Sequence, residues 1–278
     1  MKIVRTDDAP WTTGSEVVES MTPAWREHLG PKAEVDEAYR HYRQRSLCNN
    51  KVSTRRFDEI ELMPGYSDAT AAFHHTVEES YIISGVSIID GEGTFEGGDY
   101  FWRPPGWVHM AHTLTGFRAI ISLEGECSGE GSERASRVIR PLEELGTNAL
   151  PESERLLPPR GRVVKCSASE VEPGVRQSGV EFPWNTKGNA AARIRILSHN
   201  PQFGSFSSLF DFDPNTTFGG VQLHGLDIQL FVIAGACKIG DVELTRGDYV
   251  EIDAGEIPGE LLATEATQAF VKCNLAKS

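Results

Sequence analysis

Short apolar runs punctuated by glycine and proline dominate the chain from about Arg55 onward. Phe57-Asp58-Glu59-Ile60-Glu61-Leu62 alternates apolar and acidic side chains, as a half-exposed strand does. Met63-Pro64-Gly65-Tyr66 reads as a turn, and Tyr81-Ile82-Ile83-Ser84-Gly85 and Val86-Ser87-Ile88-Ile89 as strands. Asp90-Gly91-Glu92-Gly93 is a hairpin signal, and Phe117-Arg118-Ala119-Ile120-Ile121-Ser122-Leu123-Glu124 closes the series. Many short strands at regular spacing predict an all-β sandwich or barrel. Ahead of them, Pro23 to Gly30 reads as a short helix closed by glycine. Glu34 to Arg45 reads as a second, with Val35, Ala38, Tyr39 and Tyr42 at roughly helical spacing.

The second half repeats the first. Tyr81-Ile82-Ile83-Ser84-Gly85 has a counterpart in Phe231-Val232-Ile233-Ala234-Gly235, and Gly98-Asp99-Tyr100 in Gly247-Asp248-Tyr249. The offset is about 150 residues, and a period of half the chain means duplicated domains rather than a solenoid. The expected organisation is a helical N-terminal extension over residues 1–50, a β-domain over 51–127, a connection over 128–162 and a second β-domain over 163–278. The connection carries Ser128-Gly129-Glu130-Gly131-Ser132 and Pro158-Pro159, with one short helix around Leu142 to Leu145.

Composition narrows the classes. The 278 residues are 39% hydrophobic and 24% charged, enough apolar side chains for real cores. A formal charge of -13 repels phosphate backbones and anionic lipid, so nucleic-acid and membrane partners are not expected. The start, Met1-Lys2-Ile3-Val4-Arg5-Thr6-Asp7-Asp8, turns acidic where a signal peptide would be apolar. Five widely spaced cysteines with no C-x-x-C pair read as reduced thiols, and both features point to the cytoplasm.

The chemistry concentrates in Phe73-His74-His75-Thr76-Val77-Glu78-Glu79, and again in Arg103-Pro104-Pro105-Gly106-Trp107-Val108-His109. Imidazole and carboxylate are ligands for zinc, iron, manganese or nickel. Adjacent strand residues face opposite ways, so without a bulge only one of His74 and His75 can reach a metal. His112, three residues beyond His109, and Tyr81 are the candidate catalytic groups; Trp102, Arg103 and Trp107 are candidate cavity-lining residues. In the second half His224 falls opposite His74, but Ile228 stands opposite Glu78 and Pro258 opposite His109, which predicts a copy without a metal.

These motifs resemble those of the cupins, and the whole resembles a two-domain bicupin. The resemblance is strong over about residues 55–125 and degenerate over 180–275. It implies two antiparallel β-barrels of the double-stranded β-helix, or jelly-roll, type. Glu78, seven positions before Gly85, falls where the family places its metal carboxylate; His74 matches the second motif histidine and His109 the last. Ala72 stands where the first motif histidine is expected, a departure from the pattern. The ligand set is therefore His74, Glu78 and His109, or a shifted register that brings in His75 and Glu79. Within the family, the Glu-Glu pair and Arg-Pro-Pro-Gly-x-x-His look closest to two groups. One is the zinc-binding cupin of certain anti-sigma factors; the other is the cupin dioxygenases that cleave diketones and hydroxy-ketones. The resemblance implies one divalent metal ion, Fe2+ or Zn2+ first and Mn2+ or Ni2+ next, and a small-molecule substrate or ligand. Homodimerisation stays open, because a bicupin already buries in one chain the face that single cupins often bury by dimerising.

Overall fold

The computed structural model describes residues 1–21, 23, 26, 29–50, 55–124, 137–155, 163–173, 191–200, 205–219, 226–256 and 259–275. The short helix expected at Pro23–Gly30, and His224 and Pro258, lie wholly or mostly outside these. The chain divides into two compact units. One is Pro10–Cys166; the other joins Met1–Ala9 to Ser167–Ser278. Both are mostly β, and no described helix is long and apolar enough to cross a membrane.

In the first unit the main sheet runs through Thr12–Thr13, Tyr42–Asn50, Arg55–Leu62, Phe117–Glu124, Val77–Ile89 and Asp99–Arg103. In the second it runs through Ala192–Asn200, Ser205–Phe212, Thr267–Leu275, Leu226–Ala234, Tyr249–Ile252 and Lys2–Val4. The 150-residue offset thus holds for every one of these strands except Thr12–Thr13 and Lys2–Val4. It extends to irregularities: the register slips between Ser46 and Cys48 in one copy and between Ile196 and Ser198 in the other.

In the first unit one strand serves two sheets. Val77–Ile89 pairs with Phe117–Glu124 and Asp99–Arg103 over its first part. Over its last four residues it pairs with Gly93–Glu96 and Ala111–His112. The pivot is Gly85, whose φ of 82° is left-handed; a Cβ there would meet the Gly116 carbonyl oxygen at 2.2 Å. Gly235 repeats the device at φ 77°, with the Ala266 carbonyl oxygen at 2.0 Å. The two glycines that align the halves in sequence are therefore the corners at which the chain changes sheet.

Two expectations need correction. The helix read over Glu34–Arg45 spans Lys32–Arg40, and Tyr42–Asn50 is a strand. Tyr39 and Tyr42 fit a helical stripe, but pairing with Arg55–Leu62 gives the chain from Tyr42 a full set of ladder partners. The described part of the stretch read as a connection, 137–155, packs within the first unit. Val138–Ile139 pairs with Ala72–Phe73, and Leu145, Ala149 and Leu150 cover Phe73 and Val108. The short helix expected near Leu142 is a single 3-10 turn, Leu142–Glu144. A further helix, Gly14–Ser20, had no sequence assignment; it opens on a capping box between Thr13 and Glu16.

Gly85→Ala is expected to destabilise the protein by about 1–3 kcal/mol, because a strained φ and a carbonyl contact act together. Gly93→Ala, at positive φ but with nothing within 4 Å, is expected to cost less. Urea unfolding of the two variants checks the difference.

Candidate metal centre

Three short segments bring the site together. His74 lies in the irregular residues between Ala72–Phe73 and Val77–Ile89, and its carbonyl accepts from the Gly106 N–H at 2.8 Å. Glu78 is the second residue of the long strand. His109 follows the Pro104-Pro105-Gly106 turn and exchanges both backbone hydrogen bonds with Ala72, at 2.9 and 3.0 Å. The turn thus folds the histidine back beside the start of the strand that carries the carboxylate.

One ligand atom each from His74, Glu78 and His109 lies within 4.8 Å of the others. Glu78 Oε2 is 3.5 Å from His109 Nε2, and the two imidazoles stack with centroids 5.6 Å apart. An ion held at about 2.0–2.2 Å by nitrogen and oxygen sets neighbouring donors about 3–3.5 Å apart, the separation that Glu78 and His109 already have. His109 Nδ1 lies 3.1 Å from the Trp107 carbonyl oxygen, a bond that places the proton on Nδ1 and leaves the Nε2 lone pair facing Glu78. Glu78 Oε2 is buried and accepts no aligned hydrogen bond, although Arg103 Nη1 stands 2.9 Å away. A buried anionic oxygen with spare acceptor capacity beside two imidazole nitrogens fits a divalent cation.

Arg103 organises the charge. Its guanidinium, 2% exposed, pairs with Glu78 at 2.9 Å through Nη1 and with Glu92 at 2.7 Å through Nε. Burial is the strongest single influence on Glu78 and pushes its pKa up. Arg103 leads the opposing effects, followed by His109 and His74, and together they hold the carboxyl at about 2. Burial, then Arg103, drives the His109 imidazole down to about 3. At neutral pH the carboxylate is ionised and His109 is neutral, the forms in which both bind metals.

These residues line a cavity of about 160 Å³ inside the first unit. Cross-strand registry explains its lining. Arg56, Leu123, Glu78 and Arg103 are successive partners across four strands; so are Asp58, Ile121, Ser80 and Phe101. All eight face the cavity. Val17 of the first helix, Leu29, Tyr39 and Tyr42 line it from the N-terminal segment. At another part of its wall, Asp68 accepts from Tyr66 Oη at 2.7 Å, from Arg137 Nη1 at 3.0 Å and from the Ala111 N–H at 2.8 Å.

Not every candidate converges here. His75 is exposed and meets Phe73 edge-on, so it does not join the cluster; the chain leaves regular strand geometry at His74 and turns the next side chain outward. Glu79 lies on the opposite face of the strand from Glu78. So does Tyr81, which is buried but absent from the cavity wall. His112 is half-buried with its Nδ1 3.6 Å from Asp90, and Ala111 takes the cavity-facing position beside it. Of the aromatic and basic candidates, Arg103 lines the cavity, whereas Trp102 and Trp107 do not. Arg56, Asp58, Asp68 and Arg137 were not anticipated. By pattern Asp58 is the polar half of an alternating strand, and Arg137 part of a connection.

No protein-family model matches the chain, and no curated protein matches it by sequence. Solved structures do. A candidate dioxygenase from Nostoc punctiforme PCC 73102 superposes with a TM-score of 0.66 at 14% identity, over 100% of this chain and 84% of that one. The E. coli protein Ylba gives 0.57 at 13% identity, over 96% and 91%. Oxalate decarboxylase from Bacillus subtilis gives 0.53 at 15%, over 84% and 73%. The fold is cupin-like. Identities this low carry the fold and nothing finer.

For the metal-free protein, both depressed pKa values act in one direction. The unfolded chain takes up protons on His109 below about 6.5 and on Glu78 below about 4.5, while the folded chain resists until about 3 and 2. Stability is therefore expected to be full above pH 6.5 and to fall as the pH drops towards 3. Chemical denaturation across pH 3.5–7 checks this, and His109→Gln is expected to flatten the upper part of the decline.

Proposed function

We infer that the first unit binds one divalent metal ion through His74, Glu78 and His109, and that the protein is a mononuclear metal-dependent enzyme acting on a small oxygenated molecule. The observation that carries this reading is the convergence of two imidazoles and one ionised carboxylate on the wall of a cavity. A site serving only to hold zinc would be closed by a fourth protein ligand. Ala72 supplies none at the position paired with His109, so room is left for substrate oxygens. Two histidines and one carboxylate suit non-haem iron, and zinc, manganese and nickel accept the same donors. When bound, the ion would act as a Lewis acid towards a carbonyl, or as a centre for oxygen chemistry if it is iron.

The remaining roles belong to this chain's own residues. Arg103 holds the Glu78 carboxylate ionised and fixed against the two imidazoles. Trp107, through its carbonyl, sets the His109 tautomer. Leu123, Ile121 and Phe101 give the cavity an apolar floor, and Val17 and Leu29 border it, which keeps bulk water from a polarised substrate.

Metal content settles the first step. Untagged protein is expected to retain near-stoichiometric iron, zinc, manganese or nickel, and His109→Ala and Glu78→Gln to lose affinity by at least about a hundredfold. Elemental analysis and competition with a chelator measure both; equal metal in all three proteins would contradict the assignment.

A further inference from the structure

The two units are one fold filled in two ways. Across the row that carries Glu78, the first unit places Arg56, Leu123, Glu78 and Arg103; the second places Phe206, Cys273, Ile228 and Ile252. In the next row Asp58, Ile121, Ser80 and Phe101 are matched by Ser208, Val271, Leu230 and Val250. Phe206, Cys273, Ile228 and Ile252 all belong to the apolar core of the second unit. The architecture therefore closes without charges in these rows. Glu78 and Arg103 are accounted for by the metal cluster. Arg56 and Asp58 are not.

Arg56 lies two strands from Glu78, which is about 10 Å between backbones, with Leu123 between them. Its Nε donates to Asp58 Oδ2, and its Nη2 lies 3.3 Å from Gln44 Oε1, which also accepts from Tyr42 Oη at 2.7 Å. Asp58 is 2% exposed, yet its other oxygen, Oδ1, is buried without a hydrogen-bond partner on a residue that faces the cavity. Burying an ion pair gains little over apolar packing, and an unsatisfied carboxylate oxygen costs more still. A ligand group that donates a hydrogen bond would remove that cost.

We propose that the Arg56–Asp58 pair is the distal, specificity-determining end of the ligand site. It selects a small molecule that carries metal-chelating oxygens at one end and a hydroxyl group at the other. The inference rests on the metal reading above for its proximal end only. Arg56 is already neutralised by Asp58, so a distal carboxylate would face the Asp58 Oδ1 lone pairs and be repelled. A distal methyl would leave that oxygen unsatisfied. A hydroxyl donates to it, and the apolar floor of Leu123 and Ile121 covers a short carbon chain between the two ends.

The test uses zinc-loaded protein and three five-carbon 2-oxo acids that differ only at the far end. These are 2-oxopentanoate (methyl), 5-hydroxy-2-oxopentanoate (hydroxyl) and 2-oxoglutarate (carboxylate). Calorimetric titration is expected to rank the hydroxyl compound at least about tenfold tighter than the methyl compound, with the dicarboxylate weakest. Arg56→Phe/Asp58→Ser, which installs the residues of the second unit, is expected to keep its zinc and lose the ranking. Asp58→Asn, a smaller change, is expected to weaken the hydroxyl compound and admit the dicarboxylate. Zinc bound without any ranking in the parent protein would overturn this proposal alone, as would a ranking that survives both variants. Failure to bind zinc would overturn the metal reading and this proposal with it.

Discussion

Keeping one buried carboxylate ionised is the condition on which the candidate metal centre depends. Glu78 sits where desolvation alone would favour its neutral form, and a neutral acid there would neither hold a cation nor tie down its neighbours. Arg103 reverses the balance from the facing position on the adjacent strand, and Glu92 anchors Arg103 in turn. The same guanidinium helps keep His109 neutral, so one positive charge sets both ligands in their metal-binding forms. Removing it would leave two buried carboxylates without a counter-charge, the costly way to break such a pair.

Backbone geometry delivers these groups to one place. A left-handed glycine at Gly85 lets a single strand join two sheets, and the Pro104-Pro105-Gly106 turn returns His109 to the strand's beginning. The second unit keeps the corner, at Gly235, and the strand order, but fills the corresponding rows with apolar side chains. The duplicated chain thus separates what the fold requires from what the site requires, without recourse to any other sequence.

Much of this was legible beforehand because it depends on spacing. The glycines and the 150-residue offset gave the repeat, and the distances from Gly85 back to Glu78 and His74 selected the ligand candidates. The choice between His74 and His75 was not legible, since it turns on where the strand breaks. Tyr81 could have been set aside from the pattern alone: if Glu78, Ser80 and Ile82 face inward, Tyr81 faces outward. The strand Tyr42–Asn50 was obscured by a passable helical stripe, although its counterpart Ala192–Asn200 alternates more openly. Arg56 and Asp58 escaped for a deeper reason. In a strand whose two faces are both covered, a charged residue reads as solvent-facing until the partner layer is known.

The most direct test of the central claim is anomalous diffraction from crystals of the protein loaded with zinc or iron. The account predicts a single strong peak in the first unit, about 2.0–2.2 Å from a nitrogen of His74, a carboxylate oxygen of Glu78 and Nε2 of His109. A cavity without a peak in metal-loaded crystals, or a peak ligated by other residues, would contradict it.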